Sequence, residues 1–519
     1  MARNTVIFSV ATGLSRIAGL VREIVASSYF GTSAAFSAFT LAFQIPNVVR
    51  SLFADAALSA AFVPVFTEHL EHGRRKEAFR LAATLFLLIL TVLGAITVAF
   101  TLFANRILPL FVGDDLRAVQ DLSIGLSRIM FPVVLLLGLN GLTVGILQAH
   151  DHFTVPAISP LVWNAVIIAF LVASHQVLEG DDQLYGYAVG VLVGTAVQFA
   201  MAVPLLRRYG FTVQVRGLSF RDETVVRVLR LMLPVTIGLG LINFNVLINT
   251  TLGSFVSEAA PRAIDAAFRI YMLPQGLFSV AIATVLFPAL SRLAARRDFD
   301  GLRDLLATGT RQIFLLLIPA AAATLVLAEP VTRLVYEHGN FGQSSTDAVS
   351  TALFWFALSL PTSGVNLLLT RTFFSLQRPW VTTRIAALNL AVNAAVSIAL
   401  YKPFGIAGIV IGTAAGSAAM TAAQLVLLRR ELHGRLDARR TLSATLRMLA
   451  AAAVLGAVSY ATWRGLDAAL GRGLVAQLIA VVAALATGTA AYVGLVLALR
   501  VPEARQTIAL LRRRRRRGA

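Results

Sequence analysis

The 519-residue chain is 57% hydrophobic and only 14% charged, with a mean hydropathy of +0.77. Soluble domains carry nearer a quarter charged residues, so the composition excludes an ordinary water-soluble globule. The net charge of +19 would suggest a nucleic-acid partner in a soluble protein, but here the cations cluster between long apolar runs, and no nucleic acid is expected.

Fourteen apolar runs, each near or above the ~20 residues that cross a hydrocarbon core, lie at about 4–29, 33–68, 79–105, 122–149, 154–175, 184–206, 223–256, 262–291, 302–328, 346–376, 381–401, 405–430, 441–463 and 473–499. They predict an all-α polytopic membrane protein; a β-barrel would show short alternating segments. The first run holds Arg16, Arg22 and Glu23, and with no small-residue cleavage pattern it reads as a retained helix. The second holds Gln44, Asn47, Arg50 and Asp55. Asn243, Asn245 and Asn249 fall on the seventh, Arg269 and Gln275 on the eighth. Pro46, Pro132, Pro234, Pro274, Pro288 and Pro361 fall within or near helices, as do Gly13, Gly19, Gly238 and Gly240. GTAAGSAA (412–419) is suited to close helix approach.

The connections alternate in charge. One side carries Arg74, Arg75, Lys76 and Arg80, then Arg207, Arg208, Arg216 and Arg221, then Arg292, Arg296 and Arg297. It continues with Arg429, Arg430, Arg435, Arg439 and Arg440 and ends in Arg512 to Arg517. The other side has scattered cations (Arg106, Arg117, Arg262, Arg333, Lys402, Arg464, Arg472) with Asp114, Asp115, Asp265, Glu337 and Asp467 close by. This asymmetry predicts that both termini are cytoplasmic. Arg128 and Arg371 are expected to snorkel toward an interface.

The chain also resembles itself. AFQIPNVVRSLFADAALSAAF (42–62) aligns without gaps on AFRIYMLPQGLFSVAIATVLF (267–287). LQAHDHFTVPAISPLVWNA (147–165) aligns on LQRPWVTTRIAALNLAVNA (376–394), and LLRR recurs at 205–208 and 427–430. Three matches in one order imply two six-helix lobes, 1–217 and 218–433. Because six is even, a pseudo-two-fold along the membrane normal relates them. Helices 13 and 14 (434–503) lie outside the repeat and either line a lateral groove or pack on the outside. Residues 504–519 form a basic cytoplasmic tail.

An arginine at the bilayer centre costs roughly 2.5–3.5 kcal/mol, so Arg16, Arg22, Arg50 and Arg269 need a compensating environment. A structural alternative pairs Arg16 with Glu23, or Arg22 with Asp55. The functional alternative faces all four into a wet cavity, where planar guanidinium forks bind an anion such as phosphate. Within the repeat Gln44 matches Arg269 and Arg50 matches Gln275, which puts positive charge on both walls of that cavity. Asn47, Asn243, Asn245 and Asn249 are candidate supporting hydrogen-bonders, or else bond one helix to another. No metal is expected: cysteine is absent, the histidines lack HExxH spacing, and the His150–His152 turn reads as a loop. No Walker-type glycine loop appears, so no ATP site and no organic cofactor are expected.

SRIAGLVREIVASSYFG (15–31), AFQIPNVVRSLFADAALSAAFVPVFTEHL (42–70), AFRIYMLPQGLFSVAIATVLFPALSRL (267–293), QAHDHFTVPAISP (148–160) and YEHGNFG (336–342) resemble signatures of the MurJ/MviN lipid II flippases. The resemblance runs over nearly the whole chain and implies the multidrug/oligosaccharidyl-lipid/polysaccharide exporter fold. It implies a non-enzymatic transporter, monomeric, in the bacterial cytoplasmic (inner) membrane. Its cargo would be lipid II, the undecaprenyl-pyrophosphate-linked peptidoglycan precursor, moved by alternating access for cell-wall biogenesis. Arg16, Arg22, Arg50 and Arg269 match the family's cavity arginines. Ser37, Gln44 and Phe268 depart from it, standing where relatives often carry an acid, a cation and an aspartate respectively. Export of another lipid-linked oligosaccharide is the nearest alternative, and a cation-coupled multidrug antiporter a more distant one. A glycosyltransferase would need a set of catalytic acids that is not visible. The energy source is either the membrane potential or a coupled ion.

Overall fold

In the computed structural model, residues 2–53, 56–211, 222–432 and 437–504 are described, and every regular element among them is helical. Among the described residues, eleven helices are long and apolar enough to cross a membrane, or twelve when the bent pair Gln343–Ala357 and Leu360–Ser375 counts as one span. These twelve coincide with the third to fourteenth apolar runs. The two runs that complete the expected fourteen, the first and second, are the ones carrying Arg16, Arg22, Glu23 and Arg50.

The helices divide into two compact units, Met1–Arg262 with His338–Phe341, and Ala263–Glu337 with Gly342–Ala519. The first unit contains α1 (Ala2–Phe30), α2 (Ala34–Phe53), α3 (Ala56–Glu71), α4 (Arg75–Ile107), α5 (Gln120–Met130), α6 (Pro132–Ala149), α7 (Thr154–Val177), α8 (Asp182–Ala200), α9 (Val203–Arg208) and α10 (Glu223–Gly253). Its core is aliphatic and aromatic, with Phe62, Phe66, Leu85, Phe131, Leu142 and Ile146 buried. α10 packs on α2 and α3, so the packing boundary falls one helix beyond the 217/218 boundary of the sequence repeat.

α11 (Ala260–Pro274) leads into the second unit, followed by α12 (Val280–Ala295), α13 (Phe299–Val326), α14 (Ala328–Tyr336), α15 (Gln343–Ala357), α16 (Leu360–Ser375), α17 (Pro379–Phe404), α18 (Ile406–Glu431), α19 (Ala438–Leu470) and α20 (Leu474–Ala498). α19 packs along α13, and the Tyr492 hydroxyl of α20 donates to the Leu315 carbonyl at 3.0 Å. Arg311 of α13 is buried and ion-paired with Glu503 and Asp437, which ties both ends of the last two helices to the unit. A cavity of about 1210 Å³ lies between α13, α16, α18 and α19, lined by Phe314, Val365, Leu425, Leu442 and Thr445. Helix 13 of the sequence reading thus both packs on the bundle and bounds a groove.

Proline acts at defined breaks. Pro132 opens α6, Pro361 follows the 51° bend between α15 and α16, and Pro274 precedes a π-helical turn, Gln275–Ser279. Such prolines withdraw a backbone donor and so release the helical ladder at that point.

The packing also reveals a periodicity shared by both units. Gly186, Gly190 and Gly194 stand at i, i+4, i+8 on α8, and Gly408, Gly412 and Gly416 stand likewise on α18, 222 residues later throughout. The LLRR pair has the same offset. A Cβ on Gly190 would stand 2.5 Å from Phe170 Cβ of α7, and one on Gly412 would stand 2.8 Å from the Asn393 carbonyl of α17. These ladders let the α7/α8 and α17/α18 backbones approach where no aqueous hydrophobic effect drives helices together.

Replacing Gly412 by valine is expected to lower the thermal midpoint of the purified protein, by the 1–3 kcal/mol or so of an overpacked core. Gly494→Ala, whose Cβ would meet nothing within 4 Å, serves as the neutral control.

Candidate functional site

α1 lays the face through Ser15, Gly19 and Arg22 against α7. Asn164 Nδ2 donates to the Ser15 carbonyl at 3.4 Å, and the same amide lies 3.8 Å from where a Gly19 Cβ would stand. One turn further, the Arg22 guanidinium sits over the Trp163 ring, 4.9 Å from its centroid. Arg22 makes no ion pair or hydrogen bond among the described residues, and its Nε is buried without an acceptor. Arg16 lies about 9 Å back along the helix. It is exposed and equally without a described polar partner.

Glu23 serves neither arginine. It is 3% exposed and forms an ion pair with Arg262, which is 1% exposed, donates to Ser27 Oγ at 2.8 Å and lies over the Phe36 ring at 4.3 Å. A fully buried guanidinium needs a buried counter-charge, and here that charge comes from 239 residues away. Asp265 bonds Arg269 one helical turn on, at 3.0 Å to Nε and 2.9 Å to Nη2, the favourable i,i+4 spacing. The Arg269 side chain remains 37% exposed. Phe268 packs on Tyr271 and Phe356, and the carboxylate beside Arg269 comes from the preceding turn.

Arg50 donates through Nε and Nη2 to Asn47 Oδ1 at 3.0 and 2.8 Å, and Asn47 Nδ2 reaches Asn243 Oδ1 of α10 at 3.5 Å. Gln44 is buried and its Oε1 has no described donor, while Ser37 is fully buried with its hydroxyl equally unmatched. Asn249 is buried on α10 and Gln275 opens the π-helical turn; such turns recur at functional sites. Asp55, the other expected partner of Arg22, lies outside the described residues. Arg128 is exposed and bonds the Thr101 carbonyl and Asn105; Arg371 lies over Phe287 at 5.2 Å. His150 packs against Phe79 and Tyr209, and among the described residues no group of three metal-ligating side chains occurs.

The structure thus brings together Arg50 with Asn47, and Arg269 with Asp265. It separates Glu23 from both α1 arginines. Sequence reasoning missed Trp163 and the burial of Arg262. For Trp163 a signal existed, since an indole inside an apolar span opposite a helix bearing arginine is a cation–π candidate. For Arg262 none existed in the local sequence.

Breaking the Glu23–Arg262 pair from one side, by Glu23→Gln or Arg262→Gln, is expected to cost about 3–5 kcal/mol of stability. It would be read as a lower thermal midpoint and faster proteolysis. The double variant Glu23→Leu/Arg262→Met is expected to recover most of the loss, because it leaves no buried charge.

A family model described as Lipid II flippase MurJ matches residues 26–466. A probable lipid II flippase MurJ of Treponema pallidum is 30% identical over 444 residues, covering 83% of this chain and 82% of that protein. One of Rhizobium meliloti is 31% identical over 407 residues, covering 77% and 75%. Among solved structures, a lipid II flippase MurJ in an inward closed conformation superposes with a TM-score of 0.78 at 21% identity, over 94% of this chain and 98% of that one. An inward-facing multidrug transporter of the MATE family reaches 0.71 at 15% identity, over 81% and 94%. At these identities the two structures speak for the fold alone.

Proposed function

Since the chain belongs to the MurJ lipid II flippase family, we propose that it carries lipid II from the inner to the outer leaflet of the cytoplasmic membrane. The carrying observation is the state of the α1 arginines: Arg16 and Arg22 sit in an apolar span without a carboxylate among the described residues. Charge that is not neutralised internally is charge available to an anionic cargo, and the pyrophosphate of a lipid-linked precursor supplies it.

In this reading all fourteen runs span the membrane, both termini are cytoplasmic, and the repeat halves 1–217 and 218–433 form two lobes around a cationic cavity. The headgroup enters sideways from the inner leaflet while the polyprenyl tail stays in lipid. Arg16, Arg22, Arg50 and Arg269 hold the pyrophosphate, with Gln44, Asn47, Asn249 and Gln275 as neutral donors and acceptors nearby. Glu23 acts at one remove, by holding Arg262 and the α1 backbone in place. The protein works as a monomer, without ATP or another cofactor. An inside-negative potential favours outward transfer of anionic charge by about 2.3 kcal/mol per charge per 100 mV, and it draws the emptied cationic site back.

Lipid II translocation in vesicles is expected to fall at least tenfold in Arg269→Ala, with partial activity in Arg269→Lys, which keeps the charge but loses the bidentate fork. Unchanged flux in Arg269→Ala would sink the clamp. Collapse of the potential with an ionophore is expected to slow wild-type flux. Rescue of flippase-depleted cells separates lipid II from other lipid-linked glycans as cargo.

A further inference from the structure

Arg22 is held in an unusual way for a cation within a membrane span. Where Arg262, Arg269 and Arg311 each have a carboxylate, Arg22 has the face of an indole. That indole is itself fixed from α8. Trp163 Nε1 donates to Thr195 Oγ1 at 3.0 Å, and the fully buried Thr195 hydroxyl donates in turn to the Val191 carbonyl at 2.8 Å. Beside it, the missing side chain of Gly194 makes room: a Cβ there would stand 3.2 Å from the Trp163 carbonyl and 3.3 Å from Trp163 Cδ1. The hydrogen bond directs the ring N–H to Thr195 rather than to Arg22.

From this geometry we propose that Trp163, seated by Thr195 and Gly194, is the positioning residue that presents Arg22 to the pyrophosphate with its charge undiminished. The inference rests on the clamp reading above. A carboxylate partner would occupy the in-plane N–H donors of Arg22 and cancel its charge. An aromatic face attracts the cation without accepting a hydrogen bond, and so leaves the terminal guanidinium nitrogens free of a protein acceptor. The indole N–H, the one group that could compete for the same anion, is spent on Thr195. Arg22 is thereby stabilised in an apolar span and remains open to a bidentate acceptor.

The internal repeat supports a dedicated role. Gly416 and Ser417 of α18 correspond to Gly194 and Thr195 at the shared offset of 222. Yet the stretch of α17 facing Gly416, residues 389–393, holds no aromatic side chain. There Ser417 bonds Thr362, Ser363 and Asn366 of α16 instead. The same helix-pair frame carries an indole in the copy that faces Arg22 and lacks one in the other.

The test compares binding of fluorescent undecaprenyl pyrophosphate and of undecaprenol to the purified full-length protein. Trp163→Leu is expected to weaken pyrophosphate binding roughly 5- to 30-fold, the range a desolvated cation–π contact spans, and to leave undecaprenol binding unchanged. Trp163→Phe should recover part of the loss, and Thr195→Val should cost roughly 2- to 5-fold by freeing the ring. These two milder variants carry the test should Trp163→Leu fail to fold. Arg22→Ala/Trp163→Leu should bind no worse than Arg22→Ala alone. Additive losses in that double variant, equal weakening of both ligands, or full affinity in Trp163→Leu beside a weakened Arg22→Ala would each overturn the positioning role. Full affinity in Arg22→Ala would instead overturn the pyrophosphate clamp itself, and the role of Trp163 with it.

Discussion

A guanidinium removed from water must be compensated by something, and the choice of compensating group decides what each arginine of this protein can do. A carboxylate neutralises it, an amide oxygen satisfies its donors without touching its charge, and an aromatic face stabilises the cation while leaving its donors open. The described residues show all three. Arg262 and Arg311 are buried against Glu23 and Glu503 and act as fasteners. Arg50 is steadied by Asn47, and Arg22 by Trp163. Arg269 stands between these cases, paired with Asp265 yet more than a third exposed.

This division explains why counting arginines in apolar spans finds candidates but does not sort them. The Glu23–Arg262 pair ties the middle of α1 to the start of α11. The supply of acid on α1 is consumed there, and Arg16 and Arg22 are left without it. Ser37 and Phe268 offer no carboxylate either, and Asp265, which pairs with Arg269, stands one turn earlier on the same helix.

The helix-pair frames hold these side chains in register. On α8 and α18 glycines recur every fourth residue and let a neighbouring helix close in. In the first unit that proximity lets Thr195 reach the Trp163 indole. In the second, the matching hydroxyl of Ser417 turns to α16. Two similarly spaced glycine frames thus serve two local chemistries, and the difference lies in single side chains.

The membrane character and the apolar runs that match the candidate spans were legible in the sequence, because apolar length is a local property. The family was legible for the same reason, through contiguous motifs such as SRIAGLVRE at the first arginines. Which cation meets which partner was not. The Glu23–Arg262 contact joins residues 239 positions apart, and the Arg22–Trp163–Thr195 chain joins three helices. Helical periodicity states which residues share a face, but only the packing of one helix on another determines whether that face meets a carboxylate, an amide or a ring.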